Sequence, residues 1–242
     1  MFDIHIVTTA IIRPKIHIVS FNSLKNIINK TTKIVWTINL DFVNINPLYI
    51  KIENISNIYK KATLNYCENI IRKLFVGYNI KFIFFKNIVG NFNKAVRCIT
   101  NSVEQHFEKI KYGILYLEDD WINLKCEKPL DFYFDWFSKN KNCLGISLRN
   151  NGRIGFKPFF WNKNYFKIIF IETFKNNKTI NIDPETLIRT YNKYKYKEED
   201  IENNNLYIEK SKLIFFEDIG INWKMSRKMR KWNWNNDITT YS

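Results

Sequence analysis

The sequence predicts an α/β protein with a mainly parallel central sheet flanked by helices, folded as a single compact domain. Three observations lead there. Apolar, β-branched runs alternate with helix-periodic segments through the first half of the chain. That alternation is the pattern of right-handed crossover units in a parallel sheet. No Pro/Gly/Ser-rich linker and no internal repeat interrupts the 242 residues, a length that suits one or two domains.

The elements follow in order. Residues 3–8 (DIHIVT) form a short apolar run ending in Thr8, a strand candidate. A short helix is expected over 22–29. Residues 33–40 (KIVWTINL) are β-branched and aromatic, hence a second strand. Cys67, Ile70, Ile71 and Leu74 fall at helical spacing within 59–75, and Gly77 follows as a stop. Residues 80–86 (IKFIFFK) make a third strand. Phe92, Ala95, Val96, Ile99, Val103, Phe107 and Ile110 mark one face of a long helix. Residues 113–117 (GILYL) are a fourth strand that runs into Glu118, Asp119, Asp120 and Trp121. The second half is less regular. A short helix is expected near Leu130, Phe134 and Phe137, a strand over 143–148 and a turn-rich loop over 150–158. A helix is capped by Asp183 and opened by Pro184. A charged, Asn-rich stretch covers 193–205, and a strand over 213–216 leads into Glu217, Asp218 and Gly220.

Composition narrows the function classes. Hydrophobic residues make up 45% and aromatics 17%, with 7 Gly and 5 Pro, which excludes collagenous and intrinsically disordered chains. The net charge of +15 is spread over both halves and favours anionic partners: nucleotides, phosphorylated glycans, nucleic acid or an anionic membrane surface. Cys67, Cys98, Cys126 and Cys143 show neither Cys-x-x-Cys nor zinc spacing, and four in this length is sparse for a disulfide scaffold. No run approaches the ~18 apolar residues of a membrane span, and the N-terminus does not read as a signal peptide. The expected setting is the cytoplasm.

In open parallel sheets, ligands bind outside the carboxyl ends of the strands. Three predicted strands end in polar residues that should share that rim: Thr8 and Thr9, Asp41, and the run Glu118, Asp119, Asp120. Three adjacent acids repel one another unless a cation or water screens them. Oxygen ligands of this kind suit Mg²⁺ or Mn²⁺, held by one or two carboxylates and a substrate diphosphate. Glycine-rich dinucleotide fingerprints and Walker-type loops are absent, and no Ser/His/Asp or Cys/His nucleophile arrangement stands out. His5 and His106 read as structural. His17, in a loop near the rim, is a lesser candidate for touching a ligand. Phe156, Phe159, Phe160 and Trp161 are read either as a sugar-stacking platform or as core.

The segment 112–121 (YGILYLEDDW) resembles the Asp-x-Asp region of nucleotide-sugar-dependent glycosyltransferases with the GT-A fold, a Rossmann-like architecture, with the family 2 enzymes as the nearest likeness. The motif here is Glu-Asp-Asp, not a literal Asp-x-Asp. Upstream, Thr8, Thr9 and Arg13 resemble the first strand and loop that receive the nucleotide base, Asp41 the acid that contacts base or ribose, and Asn93 and Lys94 the helix start that reaches the nucleotide. Downstream, residues 215–220 (FFEDIG) resemble the acidic pair of inverting members. The resemblance implies Asp120 as a direct metal ligand with Glu118 helping, Asp119 toward the nucleotide, and Asp218 or Glu217 as the catalytic base. It also implies Mn²⁺ or Mg²⁺, a UDP- or GDP-sugar donor, and a glycan or glycoprotein acceptor. Residues 1–121 would then be the donor-binding half and 122–242 the acceptor-binding half, with Arg227 or Arg230 adding charge near the leaving diphosphate.

Two rival readings use the same residues differently. A glycosyltransferase whose acceptor is a modified DNA base would use the basic, Trp-rich C-terminus to track phosphate. A non-catalytic nucleic-acid-binding protein would make the acidic run a solvated turn, and would leave the rim-facing strand ends without a purpose. A metal-dependent nuclease is less favoured, because no Asp…Glu-x-Lys arrangement lies on adjacent strands.

Overall fold

The structure, a computed structural model, describes residues 1–43, 50, 51, 53, 55, 59–149, 156–177, 182–195, 206–220, 232–235 and 238–241. Its central element is a seven-stranded sheet. The strands are β1 (Phe2–Ile11), β2 (Ile34–Asp41), β3 (Ile80–Asn87), β4 (Ile110–Glu118), β6 (Cys143–Ser147), β7 (Phe159–Asn162) and β8 (Tyr207–Lys210). Their order is β3-β2-β1-β4-β7-β6-β8. The pairs β1–β2, β2–β3, β1–β4 and β6–β8 are parallel, while β7 runs antiparallel to both β4 and β6. A two-stranded ribbon joins β5 (Trp121–Cys126) to β9 (Ile214–Asp218), and β10 (Trp232–Asn235) pairs with β11 (Ile238–Tyr241).

The fold class is the expected one, a mostly parallel sheet flanked by helices. Helix α1 (Pro14–Ser23) and α2 (Lys60–Leu74) lie on one face, and α3 (Phe92–His106) on the other. Strand β1 alternates between two cores. Ile4 and Ile6 belong to the cluster that includes Trp36, Ile38, Leu64 and Ile71. Val7 belongs to the cluster with Val96, Ile99, Val103, Tyr116 and Trp161. A strand buried on both faces reads as a continuous apolar run, which is why β1, β2 and β4 were legible. The α3 face also carries a buried polar ladder, His5 Nε2 to Thr37 Oγ1 at 2.8 Å and Thr37 Oγ1 to Ser102 Oγ at 2.7 Å. Burial, with the nearby His106, pushes the His5 imidazole down to about 3, so it is a neutral core group.

Several boundaries differ from expectation. The helix expected at 22–29 is instead α1, followed by a 3₁₀ turn at Leu24–Asn26. Pro14 explains the earlier start: proline favours the first helical turn, and it biases the preceding Arg13 toward an extended backbone, observed at φ −142°. The long helix stops at His106, and Ile110 opens β4 rather than ending α3. Strands β5, β7 and β8 were not anticipated. Strand β7 is the aromatic run, and Phe159, Phe160 and Trp161 are buried core, not a platform. From Lys163 to Asn176 the chain forms an α–π–α run, also missed from sequence. Asp183 caps the next helix (Pro184–Lys195) by accepting from the Thr186 backbone N–H at 2.9 Å, as read from sequence. The loop at 150–155, residues 196–205, Arg227 and Arg230 lie outside the described residues. Among those described, no helix is long and apolar enough to cross a membrane.

Gly113 sits where β4 meets β7. A Cβ there would stand 2.5 Å from the Trp161 carbonyl oxygen and 2.8 Å from the Phe160 ring. Gly113→Ala is therefore expected to lower unfolding stability by about 1–3 kcal/mol through overpacking, measured by urea denaturation.

Candidate active-site cleft at the carboxyl rim

Parallel register places the polar strand ends side by side. Thr9 stands opposite Glu118 across β1–β4, Ile11 opposite Asp41 across β1–β2, and Asp41 opposite Asn87 across β2–β3. The strand order reverses between β1 and β4, with β2 and β3 on one side and β7 on the other, and a crevice is expected at such a switch. A cleft of about 250 Å³ opens there. Its walls include Thr9, Arg13, Asp41, Glu118, Asp119, Asp120 and Asp218, with Phe92, Phe156, Lys157, Asp183 and Glu185 around them.

The ribbon β5–β9 closes the site. Trp121, directly after the acidic run, pairs with Asp218. The Ile219 backbone N–H donates to the Asp120 carbonyl at 2.8 Å, and the Gly220 N–H donates to Asp218 Oδ1 at 2.7 Å. Asp218, about 100 residues downstream, thereby joins the charge cluster of Glu118 and Asp120. Gly220 permits the approach: a Cβ there would stand 2.1 Å from Asp120 Oδ2 and 3.0 Å from Asp120 Cβ.

The three acids of the run take different roles. Asp119 turns inward and is buried. Arg13 Nε donates to its Oδ2 at 3.0 Å, Arg13 Nη2 pairs with its Oδ1, and His17 Nε2 lies 3.0 Å from Oδ2. His17 Nε2 is also 2.7 Å from the Ile11 carbonyl, so this nitrogen carries the proton shared between two acceptors. Burial alone would raise Asp119, but the charge of Arg13 and the His17 bond hold its carboxyl below the usual carboxylate range. Burial likewise disfavours charge on His17, yet Asp119 and the neighbouring Cys67 carry its imidazole up to about 9. Glu118 and Asp120 face the cleft. Burial comes first in pushing Glu118 well above its usual range, aided by the charges of Asp120, Asp119 and Asp218; it accepts from the Trp121 indole at 3.3 Å. Burial also raises Asp120, with Arg13 opposing and Asp119 and Asp218 adding to the rise. Arg13 Nη1 donates to Asp120 Oδ2 at 3.2 Å.

At the far wall, Asp41 accepts from the side-chain amides of Asn39 and Asn87, each at 2.7 Å, and from the Asn91 N–H at 3.2 Å. Burial raises its carboxyl to about 6 against those bonds. Asn91 caps α3 by accepting from the Lys94 N–H at 2.9 Å.

Of the residues expected at the site, Thr9, Arg13, Asp41, Glu118, Asp119, Asp120 and Asp218 meet in one cleft. Four do not. Thr8 lies on the opposite face of β1, its hydroxyl accepting from the Trp36 indole at 3.0 Å, because adjacent strand residues point to opposite sides. Glu217 is exposed for the same reason, opposite Ile122 on the outside of the ribbon. Asn93 is buried between the Ile182 carbonyl and Arg97, at 2.9 Å from each. Lys94 points to solvent on the next helical position, and Phe92 and Ala95 reach the cleft instead. Asp119 lines the cleft, but both its oxygens are engaged by Arg13 and His17. His17 was underrated: its signal was a position four residues past Arg13 in the first turns of a rim helix. Asp183 reads from sequence only as a helix cap, yet it lines the cleft together with Glu185.

No protein-family model matches the chain, and no curated protein matches it. Some solved structures resemble it distantly. The glycosyltransferase GlyE of Streptococcus pneumoniae TIGR4 has a TM-score of 0.39 and 10% identity over 86% of this chain. An active-site mutant of LgtC has a TM-score of 0.39 and 13% identity over 86% of this chain and 72% of its own. The bifunctional glycosyltransferase WbbM has a TM-score of 0.35 and 11% identity over 87% of this chain. The chain spans 45% of GlyE and 39% of WbbM. Likeness this distant carries no argument about chemistry, which rests on the side chains.

His17 links the site to stability. Its value in the fold, about 9, lies above the 6.5 of the unfolded chain, so its contribution is complete below pH 6.5 and lost as pH rises through about 9. His17→Gln is expected to cost about 3 kcal/mol more below pH 6.5 than above pH 9–10, measured by urea unfolding across pH.

Proposed function

We propose that the protein is a glycosyltransferase of the GT-A kind that moves a sugar from a nucleotide-sugar donor to a hydroxyl of a glycan or glycoprotein acceptor. The observation that carries this reading is the meeting of Asp218 with Glu118 and Asp120 in one cleft at the switch point of a parallel sheet. Residues 1–121 form the donor half, with Asp41 and Thr9 beside the nucleotide. Residues 122–242 form the acceptor half, with Phe156 as the aromatic wall.

The charge of the cleft bears on the cofactor. Seven carboxylates and two cationic side chains line it among the described residues. An anionic diphosphate needs extra positive charge in such surroundings. The donor set is hard oxygen, which fits Mg²⁺ or Mn²⁺. No three Asp, Glu, His or Cys side chains form a ready metal cage among the described residues. The fit is therefore to an ion held by Asp120 and Glu118 and completed by substrate oxygens. Bound there, such an ion would act as a Lewis acid on the leaving diphosphate.

The chain's own groups do the rest. Asp218, held by the Gly220 N–H, takes the proton of the acceptor hydroxyl as general base. Arg13 and His17 engage both oxygens of Asp119, leaving Glu118 and Asp120 as the carboxylates of the run available to an ion. Gly220 leaves room for the Asp120 carboxylate.

Thermal unfolding against UDP-, GDP-, CMP- and dTDP-sugars, with and without Mn²⁺, tests the donor and metal together. One nucleotide-sugar is expected to raise Tm only with metal present, and Asp120→Asn to abolish the rise; a flat panel overturns the reading. With that donor, Asp218→Asn is expected to lower kcat by roughly 10²–10⁴-fold while leaving the donor-induced Tm shift intact. Loss of the shift in Asp218→Asn would place this residue in binding instead.

A further inference from the structure

We propose that Arg13 is an internal counter-cation for Asp120, occupying in the resting protein part of the charge that a divalent cation supplies when it binds. The inference rests on the metal reading above. Arg13 is 2% exposed, and its guanidinium divides its contacts to the two aspartates unequally. Nε and Nη2 grip both oxygens of Asp119, a two-pronged contact that also takes support from His17. Only Nη1 reaches Asp120, through one contact at 3.2 Å. The first grip is buried on both sides, whereas the Asp120 side chain keeps 20% exposure. The geometry separates an anchor from a contact that is free to exchange.

Charge decides the direction of the effect. Glu118, Asp119, Asp120 and Asp218 line one cleft, so four carboxylates share a small volume. Arg13 brings positive charge to Asp120 through its Nη1 contact. A metal ion arriving on Asp120 meets that guanidinium as a like charge and competes with Nη1 for the same carboxylate. Arg13 therefore stabilises the metal-free protein and weakens metal binding. A purely positioning role predicts the reverse, because loosening Asp120 would weaken a metal site.

The experiment measures Mn²⁺ affinity by the loss of the free-ion electron paramagnetic resonance signal, and Tm with and without saturating Mn²⁺, on the full chain without donor. In Arg13→Gln, Mn²⁺ is expected to bind at least about 10-fold tighter than in wild type, a difference of about 1.4 kcal/mol. Its metal-free Tm is expected to fall, and its Tm with Mn²⁺ to recover most of that loss. Arg13→Lys covers the case in which Arg13→Gln fails to fold. A single ammonium keeps the charge on Asp119 but cannot span both acids, so Mn²⁺ is expected to bind about 3-fold tighter than in wild type. Unchanged or weaker Mn²⁺ binding in the folded variants overturns the proposal while leaving the metal reading intact. No Mn²⁺ binding by wild type or variant without donor overturns the proposal, while the metal reading, in which donor oxygens complete the site, is decided by the thermal panel above. Tighter binding that persists when Asp120→Asn is added assigns the ion elsewhere and also overturns the proposal.

Discussion

The grip of Arg13 and His17 on Asp119 is the interaction on which the site depends. It ties the loop after β1 to the end of β4, the two strands that flank the switch point of the sheet. Burying a lone carboxylate costs several kcal/mol, and a partner that is both charged and hydrogen-bonded is what makes the burial tolerable. β4 ends at Glu118, and the turn that follows buries Asp119 while leaving Glu118 and Asp120 partly exposed in the cleft. The orientation of the whole acidic run follows from one buried anchor.

That anchor is prepared locally. Pro14 sets the start of α1 and leaves Arg13 extended, so its side chain reaches back across the rim. One helical turn later His17 falls on the same inner side of α1, since residues three and four apart share a helix face. The cost appears as displaced ionisation: Asp119 and Cys67 carry the buried His17 imidazole upward, and burial pushes Glu118 and Asp120 above their usual range. Displacements of this kind in a cleft mark sites built for chemistry more often than sites built for stability, since an apolar substitution would fill the same space more cheaply.

The ribbon β5–β9 makes a second contribution. Its pairing of Trp121 with Asp218 converts two acidic segments far apart in the chain into neighbours. The Ile219 N–H bond to Asp120, and the missing side chain of Gly220, then set the distance between them. At the opposite wall Asp41 is held by two asparagine amides and a backbone N–H, which leaves little room for it to reorient. Both ends of the cleft are thus tied down by hydrogen bonds.

By itself the sequence determined the fold class, the four parallel strands and the rim on which the polar residues gather. Strands buried on both faces are written as unbroken apolar runs, and topology then assigns their ends to one side of the sheet. It also marked Asp120, Glu118 and Asp218, because acids directly after apolar strands stand out against their background. Only the tertiary structure decided which residue of each adjacent pair faces the cleft. Thr9 does and Thr8 does not; Asp218 does and Glu217 does not. A one-residue change of register exchanges the two faces of a strand, and register is set by long-range pairing. The same holds for Asn93, whose partner Ile182 reaches it only through packing against α3, and for His17, whose partner Asp119 is brought to it from 102 positions away. Short antiparallel β7 and β5, and the pairing of β5 with the expected strand β9, were hidden for the same reason: their stability lies in the strands they pair with, not in their own few residues.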